Sequence, residues 1–300
     1  MTVRYERPVS RAAYLGRRLA IFSFFLFVAA WSLHRFGPLS TPSFLAVAIA
    51  AAVISAFAAY LAMIGIGALW FKGARGGKAS ASALFFCLLP LAAFAYGAVN
   101  YVNLPPVYDV ATDMVAPPDW LEAPSADQSW LGPRRPVAAS DRQLQLAKWP
   151  DLTGRRYDGA LDRVYTAARK VAIDQGLAIR LERGAPELAL QEIPDSQVGK
   201  EEAVPDALDY VPVPVPRPQD STPEDDGLPP GDPSIQGEQR TFAFGFRQDV
   251  VIRLKEELET TLVDVRVASR YGDRDLGAGV AYIERYLRAL DAELLGIAGD

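Results

Sequence analysis

Residues 44–71 read FLAVAIAAAVISAFAAYLAMIGIGALWF, without one charged side chain. About 20 apolar residues suffice to cross a bilayer, so this stretch is a transmembrane helix with length to spare for tilt. On its amino-terminal side, residues 19–33 form a shorter apolar run between Arg17-Arg18 and His34-Arg35. Snorkelling flanks complete a span over about residues 19–36. On the other side, residues 79–102 make a third span containing Pro90, which membrane helices tolerate better than soluble ones. Trp31, Trp70, Tyr96 and Tyr101 lie near the expected ends, where aromatic belts form. No apolar run contains Asp, Glu, Lys or Arg. A transporter or channel places ionisable groups inside its spans, so the three spans read as an anchor.

Charge divides the chain near Leu104. Residues 1–103 carry nine Lys/Arg and one acidic residue, Glu6; residues 104–300 carry twenty-two and thirty-five. Arg4, Arg7, Arg11, Arg17 and Arg18 precede the first span, and Lys72, Arg75 and Lys78 fill the loop between the second and third. The first hairpin loop has Arg35 alone, and no basic residue follows the third span until Arg134. The positive-inside rule then puts the amino terminus and the second loop in the cytoplasm of a bacterial inner membrane, with residues 104–300 in the periplasm. Arg17-Arg18 before an apolar run also resembles a secretion signal, but the two spans that follow favour an uncleaved first helix.

The acidic outer half has no basic face dense enough for nucleic acid. It also lacks Cys and His: the only ones are Cys87 and His34, both in or beside the spans. That excludes a Cys/His zinc site and His-based nucleophilic catalysis from the outer half, and neither a metal nor a cofactor is expected. Cys87 reads as a small apolar residue within a membrane helix.

Residues 104–150 are rich in Pro and Trp and read as an extended arm leaving the membrane, laid along the domain through Trp120, Trp130 and Trp149. A helix capped by Asp158 is expected, with Leu161, Val164, Ala168 and Val171 on one face and Gly176 at its end. Strands at residues 177–182 and 187–193 follow, joined by an Arg-Gly-Ala-Pro turn. Residues 194–238 hold ten prolines and eleven acidic residues. Such a segment buries too little apolar surface to order itself and is expected to be a disordered insertion. It is either a docking segment for a partner or a tolerated insert, since closure cost rises slowly with length.

Three alternating runs come next: TFAFGF, DVVIRLK and TLVDVRVAS, an antiparallel meander apolar on one face. Leu276, Val280, Ile283, Leu287, Leu290 and Leu294 recur at helical spacing and should cover that face. The expected fold is α+β: a three-helix transmembrane anchor (residues 1–103) followed by an antiparallel sheet packed with helices (residues 104–300).

At TFAFGFRQDVVIRL, VDVRVASRYGDRDLG and the helix after them, the chain resembles the bacterial and plastid family of domain of unknown function 1499. The family's motifs fall on residues 249–253, 263–266, 269–272 and 275–277, and the VYDVATD…PP element at 107–118 resembles its opening. The chain departs from the pattern at Gln248 and Val267, where the family often has Asp and Ser, and near Gly279, where it often has Asn. The resemblance implies fold and envelope setting, and no activity.

Two readings of the polar residues stand side by side. Asp249, Arg253, Asp264, Arg266 and Asp275 can form a structural ladder of cross-strand pairs. Alternatively, Arg266, Ser269 and Arg270 around a turn beside the last helix suit a phosphate or carboxylate, although Asp273 or Asp275 is placed to cap that helix. The expected function is a membrane-anchored, extracytoplasmic binding or interaction domain without catalysis, serving the envelope through proteins or lipid. The alternatives are an enzyme using the carboxylates Asp249 and Asp264, and a carrier of hydrophobic ligands such as lipid.

Overall fold

The computed structural model describes residues 7–184 and 232–296. Three helices come first: α1 (Arg11–Phe36), α2 (Thr41–Lys72) and α3 (Gly77–Asn103), all long and apolar enough to cross a membrane. Ser10 and Ser40 cap α1 and α2, accepting from the backbone N–H of Ala13 and Ser43. Gly73 closes α2 in the left-handed region, which a residue without Cβ enters freely. Small residues set the packing. A Cβ on Gly65 would lie 2.3 Å from Ser80 Oγ and 2.7 Å from Ala13 Cβ, so only glycine lets these backbones approach so closely. Ser23 and Ser55 hydroxyls meet at 2.8 Å across α1 and α2, and Cys87 donates to Ser55 O at 3.2 Å. Bulky side chains such as Phe22, Phe57, Met63 and Phe85 face outward, as lipid contact requires.

α1 begins earlier than the apolar run that predicts it, because Arg11, Arg17 and Arg18 are helix formers that interrupt hydropathy without breaking the helix. At that basic end, Ser10 N donates to Arg75 O at 3.0 Å and Arg75 N to Pro8 O at 2.8 Å. The amino-terminal segment is thereby tied to the α2–α3 loop.

The rest is one antiparallel sheet and three further helices. The strands are β1 (Asp109–Ala111), β2 (Arg155–Asp158), β3 (Ala178–Arg183), β4 (Ser234–Arg240), β5 (Arg247–Glu256) and β6 (Thr260–Ser269). Their spatial order is β1-β6-β5-β4-β3, with β2 also paired to β6. The helices α5 (Leu161–Asp174) and α6 (Ala278–Leu294) cover one face. There Ile235, Val250, Ile252, Leu254, Val263, Val265 and Val267 meet Val164, Ala168 and Val171 of α5 and Val280, Ile283, Leu287 and Leu290 of α6. Tyr282 and Tyr286 stack between the layers, and Tyr286 Oη donates to Ala168 O at 3.0 Å. The expected layer architecture is present.

Several local expectations need correction. Residues 241–246 are a turn, not a strand: Gly245 adopts φ 76°, Gly245 N donates to Thr241 O at 2.9 Å, and Phe246 N donates to Thr241 Oγ1 at 2.9 Å. The true partner of β5 is β4, whose residues 234–238 the composition assigned to the end of the insertion. The remainder of that insertion to residue 231, and the strand expected at 187–193, lie outside the described residues. Asp158 belongs to β2 and pairs with Thr260, so α5 starts without it at Ala160. Helix α4 (Ala139–Lys148) interrupts the arm.

Candidate functional site

The sheet's second face is polar, and strand alternation puts it there. Register pairs Arg253 with Asp264, Val251 with Arg266 and Asp249 with Ala268, so side chains alternate between the helix-covered core and this face. Residues 112–131 cross it as a lid of irregular backbone, in the place where the sequence predicts an arm.

The guanidiniums of Arg253 and Arg266 each engage both a carboxylate and the arm. Arg253 reaches Asp264 at 2.9 Å and Asp113 at 3.1 Å, and donates to Ala116 O at 3.0 Å. Arg266 pairs with Asp109 at 2.9 Å, donates to Pro118 O at 2.9 Å and lies 4.9 Å from the Trp120 ring centroid. Arg142 of α4 grips the other Asp109 oxygen at 2.8 Å. Gln236 continues the seam: its Oε1 accepts from the N–H groups of Leu121 and Glu122, and its Nε2 donates to Glu122 O.

Arg270 turns back over the sheet to Asp249 and to Glu238, the latter at 2.8 Å. Ser269 offers its carbonyl to Arg134. Asp275 caps α6 internally, accepting from Gly277 N at 2.8 Å and Gly279 N at 2.9 Å. A Cβ on Gly279 would meet Asp275 Oδ2 at 2.8 Å.

Charge states follow the partners. The Arg270 guanidinium is held protonated well beyond the usual arginine range, chiefly by its hydrogen bonds to Asp249. Burial opposes the charge on Arg253, but Asp264 and Asp113 outweigh it and raise its pKa. Burial would raise the Asp113 carboxyl, yet the N–H groups of Ala116 and Val115 and the Arg253 guanidinium pull it below the ordinary value. Asp275, almost wholly buried, is pushed up by desolvation despite its two N–H donors.

The structure pairs Arg253 with Asp264 across β5 and β6, and Asp249 faces Arg270. Asp249 and Asp264 sit four residues apart along the register, on the order of 14 Å at the rise and spacing of paired strands. Two-carboxylate hydrolysis places such groups roughly 5–9.5 Å apart. Sequence reasoning missed Asp109, Asp113, Arg142, Gln236 and Glu238. Among the described residues, no group of three His, Cys, Asp or Glu side chains is placed to hold a metal ion.

Residues 190–290, which take in β4, β5, β6 and most of α6, match the sequence profile of a family described as protein of unknown function (DUF1499). Neither the curated proteins nor the solved structures contain a match to the chain. The matched stretch follows three helices of membrane-spanning length and composition, which lie outside it.

Proposed function

We propose that this is a cell-envelope protein of the bacterial inner membrane, whose three helices hold a non-catalytic binding or interaction domain in the periplasm. One observation carries the reading. The domain rests on the ends of α1, α2 and α3 that lie opposite the basic residues. Trp31 and Arg35 of α1, Pro42 of α2 and Tyr101 of α3 all hydrogen-bond it, whereas Pro8 and Arg75 are joined at the other end. Cytoplasmic retention of the basic end leaves the domain outside. Alkaline phosphatase fused after Asp300 should be active and a green fluorescent protein fusion dark. A bright, phosphatase-negative fusion pair would sink the placement.

For the polar face, the ladder has the stronger support, because Arg266 and Arg270 already face carboxylates that an incoming anion would have to displace. Replacing both with Ala in the full chain should unfold the domain. A stable fold with a lost anionic ligand would reinstate the anion site. The carrier alternative finds less support, since Tyr165, Tyr282, Tyr286 and Leu290 fill the layer between sheet and helices.

A further inference from the structure

A second feature lies away from the ladder, where the domain meets the membrane helices. The end of α5, the edge strand β3 with its neighbour β4, the β4–β5 turn and the last turn of α1 enclose an open groove of about 790 Å³. Arg35, Arg180, Arg240, Arg247 and Arg285 line it, with Asp174 and Glu238 as the acidic lining groups among the described residues.

Glu238 is already shared. It faces Arg180 at 2.5 Å, Arg247 at 3.3 Å and Arg270 at 2.8 Å. The other three groove arginines meet neutral acceptors: Arg35 donates to Thr241 O at 3.4 Å, Arg240 to Arg35 O at 3.0 Å and Arg285 to Gln175 Oε1 at 2.7 Å. Against five guanidiniums stand the Asp174 and Glu238 carboxylates and roughly half a negative charge at the carboxy-terminal end of α5, which leaves the groove with an excess of positive charge. Like charges gathered this closely repel unless an anion joins them, and guanidinium forks suit phosphate oxygens.

Position narrows the source of that phosphate. Trp31 Nε1 donates to Ala243 O at 2.9 Å, which sets the β4–β5 turn level with the last turns of a membrane helix. A Cβ on Gly245 would strike Arg35 Cδ at 2.8 Å, so the turn lies directly on α1. From this turn Phe242, 89% exposed, projects beside the groove. A cationic groove flanked by an exposed aromatic ring at the membrane–water boundary has the composition of an anionic-lipid site.

We infer that this groove binds the phosphate headgroup of an anionic membrane lipid, with Arg240 and Arg285 on the phosphate and Phe242 against the acyl chains. This names a ligand for the binding domain proposed above and rests on that reading, but it holds on either side of the bilayer.

The test uses the full chain in neutral detergent and follows thermal unfolding. Titrants are dihexanoyl phosphatidylglycerol, dihexanoyl phosphatidylcholine and inorganic phosphate. Phosphatidylglycerol should stabilise the protein saturably, while phosphatidylcholine and inorganic phosphate should not at the same concentrations. Arg240→Gln with Arg285→Gln should weaken the phosphatidylglycerol effect by about tenfold or more, the scale of lost charge-assisted hydrogen bonds. Arg180→Gln, at a more exposed position, serves if the double variant does not fold, and should weaken it in the same direction. Phe242→Ser should weaken the lipid response further. Arg288→Gln, outside the groove, should leave it unchanged. Equal stabilisation by inorganic phosphate would replace the lipid with a free anion. No response to phosphatidylglycerol, or one that survives the arginine variants, would overturn the site. Neither result bears on the fusion assay, so the ligand and the topology fail separately.

Discussion

Asp109 receives two arginines from different parts of the chain, Arg142 and Arg266, and is itself buried. Asp264 is held by Arg253 and by the Thr112 hydroxyl, which donates to it at 2.9 Å. Removing one member of such a buried pair leaves the other without compensation. Arg253→Met should therefore cost about 3 kcal/mol, read as a lower unfolding midpoint. Exchanging Arg253 and Asp264 for a Met–Leu pair should recover most of it. Acid should act on the same network. Burial would raise the Asp141 carboxyl, but the Arg135 fork and the Ala138 N–H outweigh it and hold it below 3.8. A depressed carboxylate contributes stability that is complete above its unfolded value and lost as pH falls through its folded value. Melting points should thus drop below about pH 4, and Asp141→Asn should be less stable at neutral pH yet lose less on acidification. Strand alternation made Arg253 and Asp264 legible in advance. Asp109, Asp113 and Arg142 were not, because non-periodic segments carry no signal of the face they will cross.

Among the elements, the β4–β5 turn departs most from expectation. Phe242, Phe244 and Phe246 alternate like strand residues, but Phe246 stacks near His34 and Phe44, with centroids 5.7 and 6.0 Å away. The apolar signal was real; its target was the anchor and not the sheet core. Gly245→Ala should lift the turn off α1, both by strain at φ 76° and by contact with Arg35. Faster hydrogen exchange at the Phe246 amide, which donates to Thr241 Oγ1, would register it, and unchanged exchange would contradict it. The arm offers a parallel case. Gln236→Leu removes three hydrogen bonds to residues 121 and 122, so amide protection there should fall while β5 stays protected. The long helices and the strands β5 and β6 were readable because their periods persist over many residues. β1 and β2 are too short to show a period, and α4 is a polar helix that leaves only Asp141 and Gln145 buried.

At the scale of the molecule, anchor and domain share one interface. Trp130 Nε1 donates to Pro42 O at 3.0 Å, and Arg274 lies 3.9 Å from the Tyr101 ring centroid while donating to Tyr101 O at 2.7 Å. These contacts join the ends of α2 and α3 to the domain, and Trp31 joins the end of α1 to it. Composition and the distribution of Lys and Arg anticipated an anchor followed by a domain, but not this docking, which arises from residues 88 to 212 positions apart. Trp130→Phe with Arg274→Gln should loosen the domain on its base without unfolding either part. Spin labels on Leu258 and Phe36 should then give a broadened distance distribution, where the unmodified chain gives a narrow one.

The passage from α3 to β1 is only residues 104–108, which fully stretched covers no more than about 18 Å. A tether that short gives the domain almost no freedom to wander. It samples the few nanometres of solution just above its own base, and a soluble partner must come to it.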